Sequence, residues 1–177
     1  MELNSMYEDE LREFFVSKGE KAFRGSQLFT FFHDKKRYDI ENSNLSEKAI
    51  SIIKDQEINK VEIFKTFDSK LDETKKFLFK LKDENLIEGV LMDYKHGYSQ
   101  CISTQVGCRM GCDFCASTKS GLVRNLSAAE MLGQVYEIEK TLNIKVSNFI
   151  LMGSGEPLDN FSEVIRFIKL LHDEKGH

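Results

Sequence analysis

The chain has 177 residues, of which 41% are hydrophobic and 31% are charged, and its formal net charge is −4. This composition is typical of a folded globular protein and excludes a disordered tail. No apolar run approaches the roughly 18 residues that cross a bilayer, and the acidic start MELNSMYEDELREFF lacks the features of a signal peptide. The sequence therefore predicts a cytoplasmic protein that does not coat nucleic acid through its overall charge.

The first third of the chain carries helical patterns. Apolar residues at helical spacing before and after Gly19 predict two helices within residues 5–34, and residues 45–57 predict a third with Ser46 as its N-cap. The two apolar stripes are Tyr7, Leu11, Phe14 and Phe15, then Phe23, Leu28, Phe31 and Phe32. Residues 12–37 are also rich in Lys and Arg, which most simply indicates a solvated surface and alternatively an RNA contact.

The middle of the chain changes to the period of two that is typical of strands. Residues 75–81 and 86–94 flank a turn-like Lys-Asp-Glu-Asn and predict a hairpin, and a further strand is expected over residues 99–104. Residues 105–120 are too rich in glycine to predict a helix. Residues 101–126 form a second basic stretch, with Arg109, Lys119 and Arg124.

The last part of the chain alternates helix and strand. Ser127 and Glu130 make a capping box that predicts a helix ending near Asn143, and the apolar run 146–153 predicts a buried strand. A final helix is expected over residues 160–172. From residue 99 onward the pattern predicts an α/β architecture with the first two βα units of an unfinished parallel sheet.

All four cysteines lie within fifteen residues, as Cys101 and the run CRMGCDFC with Cys108, Cys112 and Cys115. A disulfide is disfavoured in a reducing compartment. A zinc site takes four ligands, usually as two pairs, and here only Cys112 and Cys115 form a C-x2-C pair, with His96 as a further candidate ligand. A thioredoxin-like redox pair leaves Cys108 unexplained, and three buried thiols on one helical face are disfavoured by Gly107 and Gly111.

A fourth interpretation accounts for all three cysteines of the run. Three thiolates of one short loop can hold three corners of a [4Fe–4S] cluster and leave the fourth iron open to substrate. The segment GSGEP at residues 153–157 follows a predicted strand, and its glycines allow a ligand to approach the backbone. The sequence favours the cluster, with zinc as a minority alternative.

At this point the motifs resemble a known family. The C-x3-C-x2-C spacing is similar to that of radical S-adenosylmethionine enzymes. The segment DYKHGYSQCISTQVGCRMGCDFCASTKSGLVRNLSAAEMLGQV (93–135) with MGSGEPLDN (152–160) resembles the RlmN/Cfr family of adenine methyltransferases, and GEPL favours the RlmN branch. GEKAFRGSQLF (19–29) resembles the helical accessory domain of that family, which contacts RNA.

The resemblance implies a role for each matching residue. Cys108, Cys112 and Cys115 are expected to ligate the cluster, while Phe114, Gly155 and Glu156 are expected at the S-adenosylmethionine site. Glu88 corresponds to the proton acceptor of the family, although an exposed strand carboxylate is its simplest interpretation. Cys101 corresponds to the resolving cysteine, which forms a disulfide with a methyl-carrying cysteine and so releases the product.

The sequence departs from the family in one respect. The carrier cysteine is expected late in the enzyme, and this chain has no cysteine after Cys115. We therefore expect the N-terminal half of such an enzyme, inactive alone, in three parts: a helical RNA-binding domain (1–60), a β-hairpin connector (61–98) and an incomplete radical S-adenosylmethionine partial (β/α)6 barrel (99–177). The alternatives are a non-catalytic RNA-binding fragment and a C8-specific enzyme.

The resemblance also implies the partners. They are S-adenosylmethionine, a [4Fe–4S] cluster, an electron donor such as flavodoxin or ferredoxin, and RNA, with C2 of an adenine in 23S rRNA and also tRNA as the target. No membrane partner is expected, and a complete enzyme is expected to be a monomer.

Overall fold

The computed structural model describes residues 2–177. Its helices are α1 (Glu8–Ser17), α2 (Phe23–His33), α3 (Glu47–Ile53), α4 (Ala128–Leu142) and α5 (Phe161–Leu171). Its strands are β1 (Glu62–Asp68), β2 (Lys75–Lys80), β3 (Leu86–Tyr94), β4 (Gly97–Cys101), β5 (Gln105–Gly107), β6 (Leu122–Asn125) and β7 (Val146–Ile150). The chain divides into two compact units, one formed by residues up to Asn59 with Arg166–His177 and the other by Lys60–Ile165.

The first unit is helical, as the apolar stripes predict. Leu11 and Phe15 of α1 and Leu28 and Phe32 of α2 have no exposed surface, whereas Phe23, which was also placed in the second stripe, is 46% exposed. Ser46 caps α3 by accepting a hydrogen bond from the Ala49 backbone N–H at 3.3 Å. Arg166 donates to Ser5 and Glu10, which attaches the C-terminal segment of this unit to its first residues.

The second unit is built on a five-stranded sheet with the order β1-β2-β3-β4-β7. The pairs from β1 to β4 are antiparallel, and β7 pairs with β4 in parallel, with Cys101 opposite Ile150. The connection from β4 to β7 passes through α4, which is capped by the predicted box of Ser127 and Glu130 and ends at Asn143 in the left-handed conformation. The predicted hairpin and βα unit are thus both present.

The two faces of the sheet differ in burial. Phe77, Phe79 and Ile102 are fully buried on one face, where the Gln100 side chain donates to the Gln134 carbonyl of α4. The register places Cys101 of β4 opposite Val90 of β3. Glu88 lies two positions before Val90 in β3, so the side chains of Glu88 and Cys101 both point to the other face of the sheet. This second face is half-exposed and carries the predicted catalytic side chains.

Two features of the second unit were not predicted. The strand β1 was missed, because almost every residue of it is exposed and no apolar alternation marks it. The segment 105–120, predicted only as irregular, begins with β5, which pairs antiparallel with β6 to form a separate two-stranded sheet.

No helix within residues 2–177 is both long and apolar enough to span a lipid bilayer.

Candidate functional site

Three of the four cysteines lie on the segment between β5 and β6, residues 108–121, which we call the cysteine loop. Cys108 is 7% exposed, Cys115 is half-buried and Cys112 is exposed, and all are free thiols. A turn in which the Cys115 N–H donates to the Cys112 carbonyl at 3.0 Å holds the last two cysteines together. The Gly111 N–H donates to the Thr118 hydroxyl at 2.9 Å, which closes the loop on itself.

The cysteine loop depends on one glycine at its base. Gly107 has φ +74°, and a Cβ atom there would lie 2.0 Å from the carbonyl oxygen of Gly121. Only glycine adopts this conformation without strain and leaves room for the opposing chain. The Cys108 N–H donates to the same Gly121 carbonyl at 3.1 Å, so this hydrogen bond joins the first and last residues of the cysteine loop.

The segment 153–160, which we call the glycine-rich loop, lies against the cysteine loop. The Gly153 N–H donates to the Ile102 carbonyl at 3.1 Å, and a Cβ atom on Gly153 would lie 2.6 Å from the Ser103 nitrogen. The Ser154 carbonyl accepts from the backbone of Thr104 at 2.9 Å, and the Ser154 hydroxyl lies 3.2 Å from that of Ser117 in the cysteine loop. The fold therefore brings the cysteine loop into contact with the glycine-rich loop, the two segments predicted to bind ligands.

Glu156 occupies the end of the glycine-rich loop. One of its carboxylate oxygens accepts from the Leu158 N–H at 3.0 Å and so caps the short helical turn Pro157–Asn160. Gly155, immediately before Glu156, has φ +106° and packs its backbone against Gln105.

The two predicted catalytic residues share the half-exposed face of the sheet. Glu88 of β3 pairs with Lys76 of β2 at 2.7 Å, and its side chain is 52% exposed. The Glu88 carbonyl accepts from the Ser103 hydroxyl at 2.6 Å, and that hydroxyl accepts from the Ser154 N–H at 2.9 Å. Ser103 thus joins the strand that carries Glu88 to the glycine-rich loop.

Phe114 lies on the cysteine loop and is 94% exposed. Its position beside Cys115 suits a ring that stacks on a bound planar group.

The chain is similar to known proteins over nearly its full length. Residues 1–51 match the model of the ribosomal RNA large subunit methyltransferase N-terminal domain. The chain is 47% identical over 176 residues to the probable dual-specificity RNA methyltransferase RlmN of Finegoldia magna, covering 98% of this chain and 50% of that protein. It is 48% identical over 177 residues to the protein of the same name in Lachnospira eligens, covering 99% and 51%. Almost the whole chain is therefore similar to proteins named RlmN.

A solved structure extends this likeness to three dimensions. The crystal structure of a radical SAM methyltransferase from Sphaerobacter thermophilus matches with a TM-score of 0.88 and 31% identity, covering 99% of this chain and 53% of that one. The mixed α/β fold is therefore similar to about half of that radical SAM methyltransferase. The chain spans about half the length of the RlmN relatives it matches.

The fit of this chain to an iron–sulfur cluster can be judged from its donors. Among residues 2–177, no three His, Cys, Asp or Glu side chains lie close enough together to hold a metal ion, so the thiols of the cysteine loop do not converge on one point in this structure. The chemistry of the donor set nevertheless fits, because three free thiols on one short loop are the ligands that iron–sulfur clusters take.

The basic stretch around the cysteine loop is less basic than its sequence suggests. Arg124 donates to both carboxylate oxygens of Glu130 at 2.8 Å and to Asp83 at 2.7 Å, and Arg109 pairs with Asp159. These contacts raise the pKa of Arg124, chiefly through Glu130, and lower the pKa of Asp83 to about 2, chiefly through Arg124. Two of its three cations are therefore neutralised locally, which weakens the case for an RNA contact there.

Sequence reasoning missed the buried polar residues that hold the site together. Gln105 and Asn160 are at most 2% exposed, and each hydrogen-bonds to segments distant in sequence. Asn160, for example, donates to the carbonyls of Thr104 and Leu126 at 2.9 and 2.8 Å. The sequence shows polar residues next to each motif, but it does not show which groups they hydrogen-bond, because those partners come together only in the folded protein.

Cys101 has an environment that suppresses its thiolate. Burial raises the pKa of the Cys101 thiol above its ordinary value, and a hydrogen bond from the Met152 backbone N–H to its sulfur offsets part of this effect. Because the thiolate is the reactive form, Cys101 is protected from adventitious chemistry at neutral pH.

We expect alkylation of Cys101 by iodoacetamide to be slower at neutral pH than that of the exposed Cys112. Its rate should still rise beyond about pH 8.5, the ordinary pKa of a cysteine. Mass spectrometry of the alkylated peptides in the reduced chain measures both rates. A Cys101 rate that levels off below that pH would contradict the raised pKa.

Proposed function

We propose that this chain forms part of a radical S-adenosylmethionine RNA methyltransferase that methylates C2 of an adenine in 23S rRNA and in tRNA. Support comes from the RlmN relatives and from the radical SAM methyltransferase structure, which align with 98% and 99% of the chain at 47% and 31% identity. The proposal includes an electron donor such as flavodoxin or ferredoxin, a cytoplasmic location, and the three-part division at residues 60 and 98.

One observation carries the proposal. The loop with three free thiols lies directly against the glycine-rich loop, joined to it by the Ser117 and Ser154 hydroxyls at 3.2 Å. A donor set for a cluster thus adjoins a segment of open backbone suited to a small polar ligand. Neither a lone zinc site nor a redox pair explains this arrangement.

In this proposal each residue of the two loops has a binding role. Cys108, Cys112 and Cys115 hold the [4Fe–4S] cluster, which when bound supplies one electron to S-adenosylmethionine. The backbone of Gly155 and the carboxylate of Glu156 would bind the amino-acid part of the cofactor, because a carboxylate accepts hydrogen bonds from an ammonium group. The exposed ring of Phe114 stacks on its adenine.

The half-exposed face of the sheet supplies the remaining chemistry. Glu88 accepts a proton from the RNA adenine, and its contact with Lys76 orients the carboxylate. The carrier cysteine, once methylated, is joined through its methyl carbon to the adenine. The Cys101 thiol gives up its proton to solvent and its sulfur attacks the sulfur of the carrier, so that a disulfide forms. The bond from the carrier sulfur to the methyl-derived carbon breaks with its electron pair left on that carbon, which then takes a proton. The carrier is not among the four cysteines of this chain.

The proposal is tested by anaerobic reconstitution of the chain with iron and sulfide. We expect a brown protein, and Cys108→Ala, Cys112→Ala or Cys115→Ala should each remove the visible absorbance and most of the bound iron. Cys101→Ala is the matched control and should retain both, because it lies outside the cysteine loop. Equal loss in all four variants, with zinc bound in place of iron, would overturn the assignment.

A second candidate is a non-catalytic RNA-binding protein. It is favoured by the match of residues 1–51 to the methyltransferase N-terminal domain and by the Lys- and Arg-rich residues 12–37 in that part of the chain. In this case the chain alone binds RNA and the cluster but transfers no methyl group. Transfer of labelled methyl from S-adenosylmethionine to RNA by the 177-residue chain would rule it out.

A further inference from the structure

We propose that Gln105 is a positioning residue that fixes the glycine-rich loop against the cysteine loop so that one S-adenosylmethionine molecule can contact both. This inference rests on the proposed function, because it concerns the same cofactor site. Gln105 lies on β5, two residues before Gly107, and its side chain has no exposed surface.

The Gln105 side-chain amide connects three separate segments. Its Nε2 donates to the Asn125 Oδ1 at 2.8 Å and to the Asp159 Oδ2 at 3.1 Å. Its Oε1 accepts from the Glu156 N–H at 2.9 Å. Both amide hydrogens and the oxygen are therefore used, and the bonds reach β6 at one end of the cysteine loop and both ends of the Glu156–Asp159 turn.

The backbone around Gln105 is equally close to the glycine-rich loop. The Gln105 N–H donates to the Ser154 carbonyl at 3.2 Å. A Cβ atom on Gly155 would lie 2.6 Å from the Gln105 Cβ, so Gly155 sits directly on this side chain. The position of Glu156, the proposed cofactor ligand, is thus set by Gln105 from both its backbone and its side chain.

The amide is required because the three contacts need two donors and one acceptor. Asp159 accepts as a carboxylate, and its pKa is lowered by the hydrogen bond from Arg109 and then by that from Gln105. A glutamate at position 105 would bring a second carboxylate against Asp159 unless it took up a proton. A leucine would leave the Glu156 N–H and the Asn125 and Asp159 oxygens without this partner.

Gln134 provides a matched control within the same unit. It is also fully buried, and its amide bonds to the Ser103 N–H and carbonyl, both at 3.0 Å. These bonds join α4 to the segment after β4 and do not reach the cysteine loop or Glu156. Gln134→Leu therefore removes a comparable buried amide without removing the link between the loops.

The first arm of the test needs no cofactor. Hydrogen exchange in the metal-free chain should rise at Glu156 and across residues 108–121 in Gln105→Leu, and much less in Gln134→Leu. Equal exchange in these segments in the two variants would overturn the inference, because a loss of general stability alone would produce that result.

The second arm measures S-adenosylmethionine affinity of the reconstituted chain by calorimetry. Gln105→Leu should weaken binding about tenfold or more, the effect of losing buried hydrogen bonds, whereas Gln134→Leu should remain close to wild type. Gln105→Glu should bind weakly at about pH 8 and recover as the pH falls, because a protonated glutamate regains a donor. Wild-type affinity in Gln105→Leu, or no recovery in Gln105→Glu, would refute the role.

The two arms separate this inference from the proposed function. If the wild-type chain binds no S-adenosylmethionine, the proposed function fails while the exchange experiment still decides whether Gln105 holds the two loops together. If the wild type binds and Gln105→Leu binds equally well, the inference alone fails.

Discussion

Gly25→Ala should destabilise the helical unit by about 3 kcal/mol or more, the upper part of the range for overpacked sites. Gly25 lies inside α2, and a Cβ atom there would lie 2.3 Å from the backbone nitrogen of Arg12 and 2.5 Å from its Cα in α1. These are backbone atoms of a neighbouring helix, so no side-chain rotation can relieve the contact. The two helices would have to separate.

Helix propensity alone predicts the opposite change in the free energy of unfolding. Alanine is favoured over glycine by about 1 kcal/mol in an exposed helix interior, so the sequence alone would predict stabilisation. Gly19→Ala is the matched control: Gly19 has φ +74° but nothing within 4 Å of the added atom. Gly19→Ala should lower the free energy of unfolding only by the cost of holding alanine in the left-handed conformation, about 1 to 2 kcal/mol.

Urea unfolding followed by circular dichroism measures both variants. The expected order of stability is wild type, then Gly19→Ala, then Gly25→Ala. A Gly25→Ala protein as stable as the wild type would show that α1 and α2 do not cross as closely as in this structure.

The regular elements could be predicted from sequence because their signals are local. The apolar stripes of α1 and α2, the capping box at Ser127 and the alternation in β2 and β3 each depend on residues within one segment. The strand β1 could not be found in this way. Its residues are exposed, and it is a strand because β2 offers it a hydrogen-bonding edge.

The candidate site is also predictable from the sequence only in its local motifs and not in its tertiary contacts. The cysteine and glycine-rich motifs are visible in the sequence, and the fold places the two loops in contact through Ser117 and Ser154. The sequence does not identify Gln105 as important, because a glutamine beside a motif indicates no particular chemistry until its three hydrogen-bond partners are known. The pairing of Arg109 and Arg124 with carboxylates likewise depends on distant residues, which the count of basic residues in the stretch could not reveal.

The helical unit should lose about 2 kcal/mol of stability between about pH 7 and about pH 5 because of His33. His33 is 1% exposed, at the end of α2, with its ring 4.5 Å from that of Phe29. Burial lowers its pKa from 6.5 to about 3. The unfolded chain therefore takes up a proton below about pH 6.5 that the folded chain does not, so stability falls with decreasing pH across this window.

The His33→Phe variant isolates this contribution, because phenylalanine keeps a ring against Phe29 and cannot titrate. Its absolute stability can differ from that of the wild type, so the comparison concerns the slope of stability against pH. The difference in slope between the two proteins should approach about 1.4 kcal/mol per pH unit near pH 5, the value for one proton. Glu8 and Glu10, whose pKa values are lowered by Lys175 and Arg166, are present in both proteins and cancel in this difference. Parallel pH profiles from urea unfolding would mean that His33 titrates in the folded protein as it does in the unfolded chain, and that its ring is not buried as described.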